Sequence, residues 1–331
     1  MGQKKSGDKP IAPTVDLNRV NWVRQAHNFL MSKKAGTYGV EEINLLNEYV
    51  HSLLGQATQE QKTYKIGLMF IAINPPYWTY AKQVIDGVRQ FFAPGHETEV
   101  MLFTDMQNWP EAKDVNFGAT VFGVDTMEWP YPTLMRYHFF LKEEEYLKKF
   151  DYLFYLDLDT RVVGIVGDEI FGEGLTVAPH PGYAIRQQLW APLEANPDSE
   201  AYIKQPGAIV ESNGKPLFAP YYCAGGFQGG KTQLFIDAMK AMQAGIDKDL
   251  DKGYIARWND ESHWNKYIFE HQDVLPITRL DVSYVYPDSM IEDYYLKIWG
   301  RNYTPRLMTI TKPFSLIKDD GSNYANLTNN L

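Results

Sequence analysis

Two carboxylates one residue apart, Asp157 and Asp159, close a run of five apolar residues, Tyr152-Leu153-Phe154-Tyr155-Leu156. A run of that length, apolar throughout, reads as a strand buried on both faces, as in a parallel sheet. In an open α/β sheet, ligands bind in the crevice beyond the carboxyl ends of the strands, which is where this pair falls. Two hard oxygen donors with room for water and phosphate suit Mg²⁺ or Mn²⁺ better than zinc. The chemistry they support is a divalent cation holding a diphosphate, such as that of a nucleotide-sugar. Taken alone, Asp-x-Asp at a strand end also describes an ordinary turn, its side chains accepting from nearby backbone N–H groups.

Such a pair needs a sheet to position it, and the preceding residues supply one. Tyr64 to Ile73 reads as a buried first strand, stopped by Asn74-Pro75-Pro76, and Tyr77 to Phe92 as the helix that follows. Glu99 to Phe103 reads as a second strand ending at Thr104-Asp105, and Ala119 to Val124 as a third. A helical segment from Pro132 to Phe150 carries Arg136 on its first turns and leads into the central strand. Strands alternating with helices over 64–160 predict a Rossmann-like nucleotide-binding half.

The second half is more irregular. Leu175 to Pro179 predicts a strand leading into His180-Pro181-Gly182-Tyr183, and 184–214 reads as a long loop of the kind that is usually functional. Tyr221 to Gly230 packs four glycines into a short span, where a backbone can approach a ligand closely. It is not a Walker loop, because the spacing before Gly230-Lys231-Thr232 fails. Thr232 to Ala244 predicts an amphipathic helix, and a polar, aromatic stretch from Trp258 to Tyr267 follows it.

Composition narrows the classes. A net charge of −9 leaves no basic excess to neutralise phosphates, so a general nucleic-acid binder is excluded. Cys223 is the single cysteine, so there is no intrachain disulfide and no cysteine zinc cluster, and a small buried thiol is the expected role. No apolar run approaches the ~20 residues of a membrane span. The polar start, Met1 to Pro13, has no secretory apolar core behind it, so a cytoplasmic location is expected. Residues 15–61 read as a helical arm.

Four motifs then occur in a definite order: Asp-x-Asp at 157–159, His-Pro-Gly at 180–182, Ala-Gly-Gly-Phe-x-Gly-Gly at 224–230 and Trp-x-Asp-Glu-Ser-x-x-Asn-Lys-Tyr at 258–267. Over roughly 65–290 this resembles glycosyltransferase family 6, the family of the histo-blood-group A and B transferases and the α-1,3-galactosyltransferases. The resemblance implies a GT-A fold: a Rossmann-like nucleotide-sugar-binding half (62–160) fused to an acceptor-binding and catalytic half (161–331); the start, read from its composition as disordered, and the helical arm (together 1–61) precede it. It implies transfer of GalNAc or Gal from a UDP-sugar to the 3-OH of a terminal β-galactoside, with retention of configuration and Mn²⁺ or Mg²⁺ as cofactor.

Residue by residue, Asp157 and Asp159 match the metal- and diphosphate-binding pair, and Arg136 matches an arginine contacting the donor sugar and the first aspartate. A planar guanidinium fork suits that task. Ile71, Ala72 and Tyr77 fall where the family holds uridine. Ala224, Gly225 and Gly226 fall on the donor sugar; glycine at 226 leaves room for an acetamido group, which favours UDP-GalNAc. Glu261 matches the carboxylate beneath the anomeric carbon, Asp260 its neighbour on donor hydroxyls, and His180 and Trp258 the acceptor-binding pair, with Glu261 also on the acceptor side.

The chain also departs from the family. Mammalian members carry a membrane anchor and stem where this chain has its helical arm, and many bacterial members replace Asp-x-Asp with Asn-x-Asn. The pattern here resembles a soluble bacterial- or phage-type member that keeps both carboxylates. Pro192 stands where the blood-group enzymes place an acceptor-contacting threonine, and Arg306 and Lys312 are candidates to cover the diphosphate. Two other functions stay open at this level. One is a glycan- or UDP-sugar-binding module with weak or no turnover. The other is an Asp-x-Asp phosphohydrolase, although Val162 sits one place too far for that motif.

Overall fold

The computed structural model describes residues 63–74, 77–108, 118–184, 193–204, 209–210, 216–217, 222–289 and 303–311. The helical arm expected over 15–61, most of the loop expected over 184–214, Pro192 and Lys312 lie outside them.

In chain order the elements are β1 (Lys65–Ala72), α1 (Tyr77–Phe91), β2 (Glu97–Thr104), β3 (Thr120–Gly123), α2 (Tyr131–Leu134), α3 (Arg136–Lys142), α4 (Glu144–Leu147), β4 (Tyr152–Leu156), β5 (Thr160–Val162) and β6 (Leu175–Pro179). They continue with α5 (Pro181–Ala184), β7 (Ile209–Val210), β8 (Pro216–Leu217), β9 (Cys223–Lys231), α6 (Thr232–Asp251), α7 (Asn259–His271), β10 (Ile277–Arg279), β11 (Tyr286–Pro287) and β12 (Leu307–Thr309). Seven strands form one sheet in the order β10-β6-β9-β4-β1-β2-β3. Its β3-β2-β1-β4 part is parallel throughout, the Rossmann-like half expected from the alternation of strands and helices. β9 runs against both β4 and β6, so the sheet is mixed rather than wholly parallel. This is a mixed α/β fold of the GT-A type.

Period-two burial explains the layers. Ile66, Leu68 and Phe70 on β1, with Tyr152, Phe154 and Leu156 on β4, face one core shared with Val84 and Val88 of α1. The intervening Met69, Leu153 and Tyr155 face a second core with Tyr137 and Phe140 of α3, Phe235 of α6 and Trp264 of α7. With both faces covered, β4 has no solvent side, which is why its sequence is continuously apolar.

The helix expected over 132–150 is instead three short helices. The backbone leaves helical geometry at Met135 (φ −92°, ψ 11°) and Glu143 (φ −106°, ψ 23°). Arg136 therefore begins a helix of its own, at the carboxyl edge of the sheet. The glycine-rich stretch is a strand, β9, in the middle of the sheet, and α6 extends seven residues past the expected end at Ala244, to Asp251.

Candidate active site

Because β9 is antiparallel to its neighbours, its beginning lies beside the ends of β4 and β6. Phe227 stands opposite Leu156, and the Asp157 N–H donates to the Gly226 carbonyl at 3.0 Å. On the other side Cys223 stands opposite Pro179, and the His180 N–H donates to the Tyr222 carbonyl at 2.7 Å. One short segment, 222–226, thus ties the Asp-x-Asp turn to the His-Pro-Gly turn.

Helix α7 docks on that same segment. Asn265 Oδ1 accepts from the Cys223 N–H at 2.7 Å, and its Nδ2 donates to the Cys223 carbonyl at 2.9 Å. One turn earlier, Glu261 is held at both oxygens, by the Gly225 N–H on Oε2 (2.7 Å) and the Tyr222 hydroxyl on Oε1 (2.9 Å). A Cβ on Gly225 would stand 3.0 Å from that of Glu261, so the missing side chain is what permits the approach. The turn into α7 passes through Asn259 at φ 50°, a left-handed conformation that asparagine tolerates better than most residues. Ahead of it, Glu194 accepts from the Arg257 N–H (2.6 Å) and the Tyr254 hydroxyl (2.8 Å), anchoring the approach to Trp258.

Arg136 is the centre of the polar group. Only 3% exposed, it places Nε 3.2 Å from Asp260 Oδ2, Nη2 3.7 Å from Asp157 Oδ1 and donates from Nη1 to the Gly225 carbonyl at 2.9 Å. Its guanidinium lies 4.2 Å over the Tyr155 ring. Burial works against its charge, but Asp260, Tyr155 and Asp157 outweigh that and raise its pKa, so it stays cationic. Asp260 is 1% exposed, and desolvation pushes it up to about 7 despite the guanidinium. Burial likewise pushes Glu261 up to about 7, against the opposing bonds from Gly225 and Tyr222.

Asp157 keeps 42% of its side chain exposed, and its Oδ1 accepts the Tyr155 hydroxyl at 2.6 Å. A Cβ on Gly226 would lie 2.7 Å from Asp157 Oδ2. Asp159 is 8% exposed, and its carbonyl accepts from the Ile310 N–H at 2.8 Å. Among the described residues no group of three or more His, Cys, Asp or Glu is placed to enclose an ion. Two carboxylates, one of them open at the crevice, fit a hard cation that completes its shell with water and phosphate oxygens.

The structure therefore brings Arg136, Asp157, Gly225, Gly226, Asp260 and Glu261 together in direct contact. His180 stands beside them, its ring edge-on to Tyr222 at 5.9 Å, with Nδ1 accepting from the Gly182 N–H; burial pushes it down to about 4, so it is neutral. Trp258 caps α7 half-buried, its backbone N–H donating to Ser262 Oγ at 3.0 Å, and Ala224 is buried in the first core. Ile71, Ala72 and Tyr77 lie at the end of β1 and the start of α1, on the strand next to β4. Ala72 is wholly buried, backbone included, and Ile71 and Tyr77 are half-buried. Arg306 is engaged with Glu169 and the Ile165 carbonyl.

The sequence motifs include Gln228 and Asn265 without giving them a role, and Tyr155 and Tyr222 are likewise given none. Two left a signal. Tyr155 is two residues before Asp157 and so shares its face of the strand, and Asn265 is one helical turn from Glu261. Gln228 is an amide among glycines and aromatics in the middle of a strand, a polar residue that requires partners.

A model of glycosyltransferase family 6 matches residues 43–297, most of the chain. The chain belongs to glycosyltransferase family 6. Among its relatives, the histo-blood group ABO system transferase 1 of Rattus norvegicus is 29% identical over 235 residues, covering 68% of this chain and 62% of the relative. The O-antigen biosynthesis glycosyltransferase WbnI of Escherichia coli is 28% identical over 212 residues, 64% of this chain and 83% of the relative. The human globoside alpha-1,3-N-acetylgalactosaminyltransferase 1 is 23% identical over 260 residues, 76% of this chain and 68% of the relative. This family 6 chain thus spans less than two thirds of the rat transferase. No described helix is long and apolar enough to cross a membrane.

Proposed function

We propose that this chain is a retaining α-1,3-glycosyltransferase, moving GalNAc or Gal from a UDP-sugar to the 3-OH of a terminal β-galactoside, fucosylated or plain. One observation carries the reading. Glu261 is gripped at both oxygens beside the Arg136–Asp260–Asp157 group, at the carboxyl edge where a nucleotide-sugar binds such sheets.

Each residue has a task in that reaction. Ile71, Ala72 and Tyr77 hold the uridine. Arg136 and Asp260 take hydroxyls of the donor sugar, and the buried fork fixes their geometry. Ala224 and Gly226 line the pocket of the 2-substituent. Glu261 faces the anomeric carbon. Retention proceeds either through a glycosyl-enzyme or by a front-side route, and a carboxylate in that place acts as nucleophile in the first and stabilises oxocarbenium charge in the second. In the first, the C1–O bond to UDP breaks as a Glu261 oxygen bonds C1, and the acceptor oxygen then bonds C1 as the bond to Glu261 breaks; in the second, the acceptor oxygen bonds C1 on the face from which UDP departs; in both the acceptor proton passes to the diphosphate. Asp157 and Asp159 would hold Mn²⁺ or Mg²⁺, which supplies neutralisation of the departing diphosphate. Neutral His180 and Trp258 orient the acceptor galactose. Residues 62–331 act as one catalytic domain, in the cytoplasm.

The test is UDP release from UDP-GalNAc and UDP-Gal, with and without Mn²⁺, in the presence of plain or fucosylated galactosides. The expected result is metal-dependent release, faster with UDP-GalNAc, and an α-linked product. Glycan binding with no donor consumed would sink the proposal in favour of a binding module.

A further inference from the structure

Gln228 sits in the middle of β9, 0% exposed, directly opposite Tyr155 of β4. Its amide is used at both ends. Oε1 accepts the Tyr137 hydroxyl at 2.8 Å, while Nε2 donates to the Gly225 carbonyl at 3.1 Å and to Asp260 Oδ2 at 3.2 Å. The same Gly225 carbonyl accepts from Arg136 Nη1 at 2.9 Å.

The chemistry of this position admits few residues. Asp260 and the Gly225 carbonyl are acceptors and need a donor, whereas the Tyr137 hydroxyl needs an acceptor. A carboxylate could not donate, and an apolar side chain could serve neither end, so an amide is the group that satisfies both. Burying an amide is costly unless it is bonded, and nothing in the strand ladder requires it here. Tyr155 does the parallel job across the ladder, donating to Asp157 at 2.6 Å. Each of the two acids flanking Arg136 thus has a neutral donor of its own, and one guanidinium can serve both without drawing either out of place.

We propose that Gln228 is a positioning residue for sugar transfer, its buried amide fixing Asp260 and, through the shared Gly225 carbonyl, the Arg136 fork against the donor sugar. This rests on the reading of Asp260 and Arg136 as the groups that take donor hydroxyls. It assigns Gln228 to the sugar half of the donor and not to the uridine half.

The test is Gln228→Met, which keeps length and volume but removes both bonding ends, with Tyr137→Phe as a milder variant that removes only the hydroxyl holding the amide. UDP release is measured with UDP-GalNAc and UDP-Gal, and calorimetry gives the affinities of UDP and of the intact donor. Gln228→Met is expected to lower kcat about 10- to 100-fold and to erase the extra affinity of UDP-sugar over UDP, leaving UDP binding within about twofold. Tyr137→Phe is expected to give a loss of about 3- to 10-fold in the same direction. An active wild type with kcat and the sugar increment unchanged in both variants overturns this proposal alone. Equal weakening of UDP and UDP-sugar also overturns it, because that is the mark of a merely structural amide. A wild type that releases UDP from neither donor overturns the functional reading, and this proposal with it.

Discussion

At the scale of the residue, the site is a set of acids whose proton affinities are set by burial. Glu261 titrates at about 7 because desolvation outweighs the two bonds it accepts. In the role proposed for it, the ionised form attacks or stabilises C1, so kcat is expected to fall about tenfold per pH unit below pH ~7. Glu261→Gln should abolish that limb of the pH profile together with most of the activity; a wild-type rate that is flat from pH 5 to 8 would refute the role. Gly226 carries a second prediction. The room it leaves beside the donor was the reason to favour UDP-GalNAc, yet a Cβ there would press on Asp157 Oδ2 at 2.7 Å. Asp157 cannot swing away cheaply, being held by Tyr155 and faced by Arg136. Gly226→Ala is therefore expected to cut turnover of UDP-GalNAc and UDP-Gal alike, by about 100-fold, rather than exchange one donor for the other. Kinetics with both donors at saturating Mn²⁺ decide it, and a clean switch to UDP-Gal would show that Asp157 can yield.

At the scale of the element, β9 and α7 are held together by Asn265 as much as by apolar packing. Asn265→Ala would leave the buried Cys223 N–H and carbonyl without their side-chain partner, at a cost of about 3 kcal/mol. It would also let the Gly225 N–H drift from Glu261. Urea denaturation and kcat should fall together; a variant of wild-type stability would show that α7 docks by its apolar face alone. Most elements here were legible from periodicity. Leu175–Pro179 has the expected bounds, and β1, α1, β2 and β3 differ from expectation by one or two residues at their ends. The break of 132–150 into three helices was not legible, because Met135 and Glu143 are good helix formers and the backbone turns to seat Tyr137 and Phe140 against the sheet. Nor was the strand in Cys223–Lys231, since glycine carries no strand propensity and only neighbours on both sides hold it extended.

At the scale of the whole molecule, buried titratable groups oppose one another. His263, 3% exposed and 3.6 Å from Asp249, is pushed down to about 4 by burial, against a positive influence from Asp249. A depressed histidine contributes stability that is intact above its unfolded value of 6.5 and is lost as pH falls toward 4. Asp260 and Glu261 are raised, so their contribution is present at acid pH and is lost as pH rises through about 7. Between pH 7 and 4.5, His263→Gln is expected to lose about 2 kcal/mol less stability than the wild type, read from urea midpoints at each pH. Equal losses would mean that His263 keeps an ordinary pKa when folded. The sequence by itself determined the Rossmann-like half, the strand that ends at Asp157, and the family through four ordered motifs, because periodicity and local spacing are written into neighbouring residues. Only the tertiary structure decided that residues 222–226 join the two halves, that one buried guanidinium serves two acids, and that Gln228 and Tyr155 stand behind them. Those pairings span sequence separations of up to about 90 residues, 89 between Arg136 and Gly225 and 91 between Tyr137 and Gln228. No local pattern encodes contacts made only once an antiparallel strand closes the sheet.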